Sequence, residues 1–501
     1  MRTSPDTRWL AAASTAFAAA LLGACSLAPR YRPPAKQPVD RFAEAGDWMP
    51  AQPGDHASRG KWWEAFGEPT LDELEQRLSQ SNPDLQAAVA RFAEARAVAL
   101  RARSDVFPTV DAHTSATRER SSGNAPLASL LGGKPSTYND FVAGLGLAWE
   151  IDLFGRLRNT AAAARAEAEA SAADLSAVEL ALRAELATDY FALRGDDATT
   201  QLLESAVKDY DRAYEVTRNR YDEGIAAATD VDQADTLRQN ARAQLAAVEL
   251  QRAQLAHAVA TLIGEAASRF SIESGALAGS PPPLDPGMPS TLLERRPDVA
   301  RAEREVAAAN AQIGVARAAW FPVFSLSGAA GYESTVASTW LAAPSRFWSV
   351  GPAGSLPLLD AGARLAGTRQ AHAAYDEAVA NYRKTTLVAY QEVEDSLASL
   401  HRLAEERKAD EAAAASAQRS ANHADERYSA GVADYLEVST THTAALQAER
   451  DALTARVAQL AAAVALVRAT GGGWGHTDAA QQDAPYPART AGALPELRRG
   501  S

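Results

Sequence analysis

Two periodicities divide this chain. Apolar residues recur at steps of three and four through Leu175, Val178, Leu182, Leu186, Tyr190 and Leu193. They do so again through Tyr375, Val379, Tyr382, Tyr390, Val393, Leu397 and Leu400, with Thr386 filling the gap. This near-heptad spacing marks helical seams. No proline occurs from 136 to 280 or from 358 to 484, and Ala, Leu, Glu, Gln and Arg dominate both stretches. Long helices are therefore predicted over about 157–222 and 363–428. Either would span on the order of 100 Å as continuous helix. An ordinary coiled coil explains the seams, but the small Ala faces beside them would also let each helix pack on both sides, as in a wall of helices.

The second periodicity is two. Phe141, Ala143, Leu145, Leu147, Trp149, Ile151 and Leu153 alternate with Val142, Gly144, Gly146, Ala148, Glu150 and Asp152. One face is apolar and the other small or acidic, as in a membrane strand of about 9 to 11 tilted residues or a half-buried soluble strand. Strands are predicted at about 107–117, 138–154, 321–332 and 347–360. The last is the weakest, because Pro352 and Pro357 each remove a ladder donor. Four strands cannot close a barrel, and open sheet edges do not survive in lipid. Several copies must combine if these strands cross a membrane.

Landmarks in the first half return in the second. Asn82-Pro83-Asp84-Leu85 and Phe107-Pro108 match Arg296-Pro297-Asp298-Val299 and Phe321-Pro322, both 214 positions on. Arg220-Tyr221-Asp222-Glu223-Gly224 matches Arg427-Tyr428-Ser429-Ala430-Gly431, 207 positions on. The implied order is a segment 25–81, a repeat 82–265 with a turn at 223–231, a Pro-rich linker 266–295, a repeat 296–473 with a turn at 429–438, and a disordered tail 474–501. The fold class is mainly α with a small β part, in two tandem structural repeats.

Charge and composition then narrow the function. With 63 Asp and Glu against 50 Lys and Arg, the chain lacks the basic field that nucleic acid requires. Outside the N-terminus no apolar run reaches the roughly 18 residues of a spanning helix. Residues 1–24 carry Arg2, Arg8 and an apolar run from Trp9 to Leu22, the layout of a secretory signal. Leu22-Gly23-Ala24 before Cys25 matches the bacterial lipoprotein cleavage site, so Cys25 is the expected lipidation site, carrying diacylglycerol with a palmitate-type chain on its amine. As the only cysteine it excludes an intrachain disulfide. Ser26 after it, where an Asp commonly retains lipoproteins at the inner membrane, points to outer-membrane sorting. The eight histidines lack metal-ligand spacing, and no phosphate loop or nucleophile elbow occurs. Glu150 and Asp152 share a strand face, but no nucleophile or positioned His accompanies them. Neither an enzyme nor a cofactor or metal site is expected.

Specific motifs join this pattern: Tyr31-Arg32-Pro33-Pro34; Trp62-Trp63 with Phe66-Gly67-Glu68-Pro69-Thr70-Leu71; Trp149-Glu150-Ile151-Asp152-Leu153-Phe154-Gly155-Arg156; the run from Pro289 to Asp298; and Gly471-Gly472-Gly473-Trp474. Together they resemble the TolC-like outer-membrane efflux factors, in particular the OprM or NodT branch of lipoproteins. The resemblance implies a homotrimer whose 12-stranded transmembrane β-barrel continues as a 12-helix periplasmic α-barrel closed at its tip. It implies a passive outer-membrane channel in a tripartite efflux pump, carrying small toxic compounds or drugs from a periplasmic adaptor (membrane fusion protein) and an inner-membrane RND-type pump. A duct for metal efflux or type I protein secretion is the alternative within the same plan. A periplasmic adaptor or a structural coiled-coil lipoprotein is the competing class, and it leaves the alternation from Phe141 unexplained.

The resemblance also places the segments after Gly224 and Gly431 at the tip. Leu436 matches an apolar gate position, Glu437 an acidic one, Asp230 its counterpart in the first half, and Tyr428 a tip tyrosine. Thr440 and Ala433 depart from the pattern, standing where relatives often carry a pore acid and a tip arginine. Three copies of Glu437 around an axis would form a ring favouring cations.

Overall fold

The computed structural model describes residues 26–34, 43, 59–124, 135–282 and 296–472. Residues 1–24, Cys25, the Pro-rich core of the linker from 283 to 295 and residues 473–501 lie outside the described residues. The elements run α1 (Pro69–Ser81), α2 (Pro83–Ser104), β1 (Thr109–Arg120), β2 (Thr137–Ile151), α3 (Arg156–Asp222) and α4 (Ala228–Leu262). Then follow α5 (Pro297–Ala318), β3 (Val323–Ser334), β4 (Arg346–Ser355), α6 (Ala363–Ser429) and α7 (Tyr435–Ala469). Helices of 22, 67 and 35 residues thus occur in the same order before and after residue 296.

The chain divides into two compact units. One holds 91–171 and 301–383 together with the N-terminal residues to 35; the other holds 36–90, 172–300 and the residues from 384 onward.

The first unit carries one antiparallel sheet in the order β1-β2-β3-β4. Its central pairing joins the two halves, with Leu145 opposite Ala330 and Trp149 opposite Leu326. Directly paired residues point to the same side. One face therefore carries Val110, Phe141, Leu145, Leu147, Trp149, Phe324, Leu326, Trp348 and Val350, and the other Asp111, His113, Gly144, Gly146, Ser325, Ser327 and Ser349. Among the described residues Trp340 packs on Phe141 with centroids 5.6 Å apart, but most of the apolar face is open: Leu145 is 55% exposed and Trp348 78%. Pro352 sits inside β4, opposite Leu326. Pro352 removes one ladder donor from a ten-residue run paired with β3, and the remaining pairs hold the strand.

β2 stops at Ile151 rather than 154, because the next residues serve the start of α3. Asp152 accepts from the Arg158 amide at 2.8 Å, and Glu150 grips Arg156 through two bonds of 2.9 and 2.6 Å. These two carboxylates orient the passage from strand to helix. Beside it runs the N-terminal segment. The Ser26 hydroxyl donates to Asn159 at 2.9 Å, Asn310 donates to the Pro29 carbonyl at 2.9 Å, and the Tyr31 hydroxyl donates to the carboxylate of Glu303.

The second unit is helical. Trp63, Leu71, Leu74, Leu78, Leu186, Tyr190, Phe191, Val259, Leu460 and Val464 form its core, and Arg183 lies 4.4 Å over the Trp63 ring. Glu75 is fully buried there, and burial pushes its carboxyl up to about 8, so it is neutral at pH 7. Two readings of the sequence need correction in this unit. Residues 266–282, expected as part of a linker, are a packed strap: Leu277 is buried, Gly275 donates to Asp197 at 3.0 Å, and Arg456 holds the Leu277 and Ala278 carbonyls. α7, moreover, is long and apolar enough to cross a membrane by composition, contrary to the expectation that no such run exists. It serves as a core helix, since Leu460, Ala463, Val464 and Leu466 are all within 1% of full burial.

The helix junctions of the two halves are tied alike. Asn82 caps α2 by accepting from the Leu85 amide at 2.8 Å, and its amide group donates to the Leu262 carbonyl at the end of α4. Arg296, 214 positions on, donates to the Ala469 carbonyl at the end of α7 at 3.0 Å.

Candidate functional site

The site builds from two helix ends and two helix starts in the second unit. α3 and α6 both end in a glycine of left-handed conformation, Gly224 at φ 75° and Gly431 at φ 72°. A residue without Cβ enters that region freely, which lets the next amide fold back: Ile225 donates to the Arg220 carbonyl at 2.8 Å and Val432 to that of Arg427 at 3.0 Å. Both helices thus stop in the same Schellman geometry.

The following helices start differently. α4 begins at Ala228, so Asp230 lies in its first turn and not in the connecting loop. Its carboxylate reaches back to the Ala227 amide at 3.2 Å. α7 begins at Tyr435, which puts Leu436 and Glu437 in its first turn as well. Here Asp434 is the cap, accepting from the Glu437 amide at 3.1 Å. The Glu437 carboxylate is left for another partner, and it meets Arg427, at the end of α6, at 3.1 Å. The negative side chain sits at a helix N-terminus and the positive one at a C-terminus, where the helix dipoles favour both.

Around this pair lies an aromatic cluster. Tyr428 packs edge-on against Tyr435 with centroids 5.5 Å apart, and Arg220 of α3 lies 4.8 Å over the Tyr428 ring. Tyr435 is only 2% exposed and packs with Ala234, Ala424 and Val438; burial pushes its phenol up to about 12. Between α3, α4, α6 and α7 opens a cavity of about 420 Å³, lined by Tyr210, Thr217, Asp425, Tyr428, Tyr435 and His442. His442 sits 2.9 Å from both carboxylate oxygens of Asp425, joining α7 to α6. Arg242 bonds Asp211 at 2.7 Å and Arg238 lies 3.9 Å over the Tyr214 ring, joining α4 to α3.

Of the residues singled out from the sequence, Tyr428, Leu436 and Glu437 come together at the second turn, and Asp230 occupies the first. Leu436 is 56% exposed, an apolar side chain presented outward. Thr440 bonds the Leu436 carbonyl of its own helix. Cys25 adjoins Ser26 but lies outside the described residues. Sequence reasoning missed Arg427, Tyr435 and the Asp425–His442 pair. The first was legible in principle, as a basic residue closing one helix ahead of an acid opening the next. Among the described residues no cluster of His, Cys, Asp and Glu could hold a metal ion.

Comparison with known proteins gives this geometry a setting. The chain is 32% identical over 468 residues to the toluene efflux pump outer membrane protein TtgC of Pseudomonas putida, covering 92% of this chain and 95% of that one. It is 32% identical over 465 residues to the pyoverdine export outer membrane protein OpmQ of Pseudomonas aeruginosa, covering 91% and 95%. The solved outer-membrane channel OprN superposes with a TM-score of 0.83 at 31% identity, covering 90% of this chain and all of that one. Two of these relatives are outer membrane proteins of efflux and export, and the third is an outer-membrane channel. The outer membrane efflux protein family matches residues 74–265 and 288–472, and to that family this chain belongs.

Proposed function

We propose that the chain is the outer-membrane duct subunit of a tripartite efflux pump, built of two tandem repeats and closed as a homotrimer. Its cargo would be small toxic compounds or drugs, delivered by a periplasmic adaptor and an inner-membrane RND-type pump that supplies the energy. The duct conducts passively. The observation that carries this reading is the sheet: four strands with two open edges and a largely exposed apolar face among the described residues, inside an outer-membrane protein. In lipid such edges must be paired, so copies must combine. Three copies give twelve strands, an even number within the range of membrane barrels.

The tandem repeat is supported by the matching helix lengths and by the Asn82 and Arg296 junctions, each tied to the end of its return helix. The two turns form the periplasmic tip in this reading. Tyr428, Leu436 and Glu437 of three copies surround the axis there, and Asp230 stands on the neighbouring turn.

Cys25 is proposed as the lipid anchor. Ser26, one residue on, bonds Asn159 in the first turn of α3, close in sequence to the end of β2. A diacylglycerol at that point would lie at the level where strands leave the bilayer. The test is direct: the detergent-extracted protein should migrate as a heat-modifiable trimer and conduct ions across a planar bilayer. A monomer that stays water-soluble after Cys25→Ser, with no conductance, would refute the duct.

A further inference from the structure

Charge on the sheet is sorted by face at the end away from the helices. Arg118 and Arg120 close β1, and Arg346 opens β4. The register puts Arg118 opposite Asn139, Arg120 opposite Thr137 and Arg346 opposite Tyr332. These partners belong to the face of Phe141 and Ala143, so all three arginines stand on the apolar face. The acids of the same region do the opposite. Glu119 pairs with Tyr138, Asp140 with Thr117 and Glu333 with Val142, all on the polar face.

Random placement of solvated charge would not separate the signs. All three arginines are exposed, and among the described residues none forms an ion pair. Arg346 makes one bond, a long 3.3 Å contact to the Ala343 carbonyl. Three guanidinium groups on the apolar face, at the rim of its band, lack the counter-charge that arginines such as Arg156, Arg194 and Arg364 have.

We infer that this rim binds phosphorylated lipid headgroups of the outer leaflet. The inference rests on the proposed barrel, because only there does the apolar face meet lipid. Guanidinium groups bind phosphate through two parallel hydrogen bonds, and at a membrane surface each basic residue adds to attraction for anionic lipid. Closure deepens the site. β1 and β4 are the two edges of the chain's sheet, so in a ring of copies the β4 of one meets the β1 of the next. Each seam then carries arginines from two subunits at the same end and on the same face, and a multiply phosphorylated glycolipid would bridge them.

The experiment uses the full-length trimer in phosphatidylcholine nanodiscs with bis-phosphorylated lipid A or its dephosphorylated form, and retained lipid is read by native mass spectrometry. The wild type should retain the phosphorylated form at least about tenfold better, and R118Q/R120Q/R346Q should lose that preference. Millimolar inorganic phosphate should leave retention unchanged; displacement would assign the site to a free anion and overturn the lipid. Equal retention of the two lipid A forms by the wild type, or an undiminished preference in the triple variant, would also overturn it. If the triple variant does not assemble, R120Q and R346Q singly carry the test, each with an expected loss of about threefold. Heat-modifiable trimer and bilayer conductance are measured on the same preparations. Their absence in the wild type refutes the duct, whereas their presence without lipid preference refutes this site alone.

Discussion

The two helical turns share a sequence frame and end their first helices identically, yet they use their acids in opposite ways. In the first turn no polar side chain stands at the cap, since Ala227 occupies it, and Asp230 reaches back to satisfy that residue's amide. In the second, Asp434 caps, and Glu437, 207 positions after Asp230, is released to pair with Arg427. The neighbouring positions diverge in the same sense. Ala228 becomes Tyr435, buried, and the half-exposed Tyr221 becomes Tyr428, packed between Tyr435 and Arg220. One of the two turns is thus plain, while the other holds a small core and an ion pair. One substitution at the cap position is enough to change what the acid three residues later can do.

The strongest way to break this asymmetry is Tyr435→Ala, which gives the second turn the residue of the first. Truncating a buried ring costs about 3–5 kcal/mol, and here the loss falls on the contacts to Tyr428, Ala234 and Val438. Hydrogen exchange at the amides of 435–441 should lose most of its protection, while 228–234 changes little. Equal loss in both turns would show that they unfold as one unit.

Alkaline pH should separate the turns next. The Tyr435 phenol is pushed up to about 12 by burial, above its ordinary value of 10.0. A raised folded-state value means stability fully present below pH 10 and lost as pH rises through about 12, up to roughly 3 kcal/mol. Tyr210, also pushed up to about 12, is replaced by Phe so that its ionisation does not overlap that of Tyr435. Phenolate absorbance should then rise together with exchange at the second turn. Ionisation at pH 10 without any opening would show that Tyr435 is wetter than its 2% exposure implies.

How much of this was legible in the sequence varies with the kind of signal. The long helices were readable because their seams repeat over many turns without a proline, and β2 because alternation runs through it from Phe141 to Ile151. Leu436 and Glu437 were placed in a loop because the helix start depends on which Asp caps it. Asp434 three residues before Glu437 is the pattern that would have decided it. The Arg427–Glu437 pair follows only once that cap is known. The strap at 266–282 carries no period at all, and several of its ties use backbone carbonyls, which no side-chain pattern reveals. Pro352 weakens the strand reading for a different reason: it removes one ladder donor, and the ten-residue run paired with β3 outweighs that loss.

Smaller effects should come from the caps. Asp434→Ala should cost about 1 kcal/mol of second-turn stability, with Asp434→Asn retaining most of it. Ala227→Asp should do the reverse in the first turn, supplying the missing cap, stabilising α4 by up to about 1 kcal/mol and freeing Asp230. Exchange rates at the first-turn amides of each helix measure both. An unchanged first turn in Ala227→Asp would mean that the reach-back by Asp230 already satisfies the end completely.

The smallest effect in energy bears most directly on conduction. Arg427 and Glu437 are 56% and 35% exposed, so a double-mutant cycle should yield only about 0.2–1 kcal/mol of coupling, diminishing with salt. Their effect on ions should nevertheless have opposite signs. In the proposed trimer, three acids around an axis would be balanced by three bases and the ring would be nearly neutral. Glu437→Gln leaves three unbalanced arginines, which should lower the preference for cations in a planar bilayer. Arg427→Gln leaves three unbalanced carboxylates and should raise it. Shifts of the same sign would show that the pair acts by holding the turn shut, whereas opposite signs would place its field in the ion path, a distinction that the first turn, with Asp230 held by a backbone amide, cannot produce.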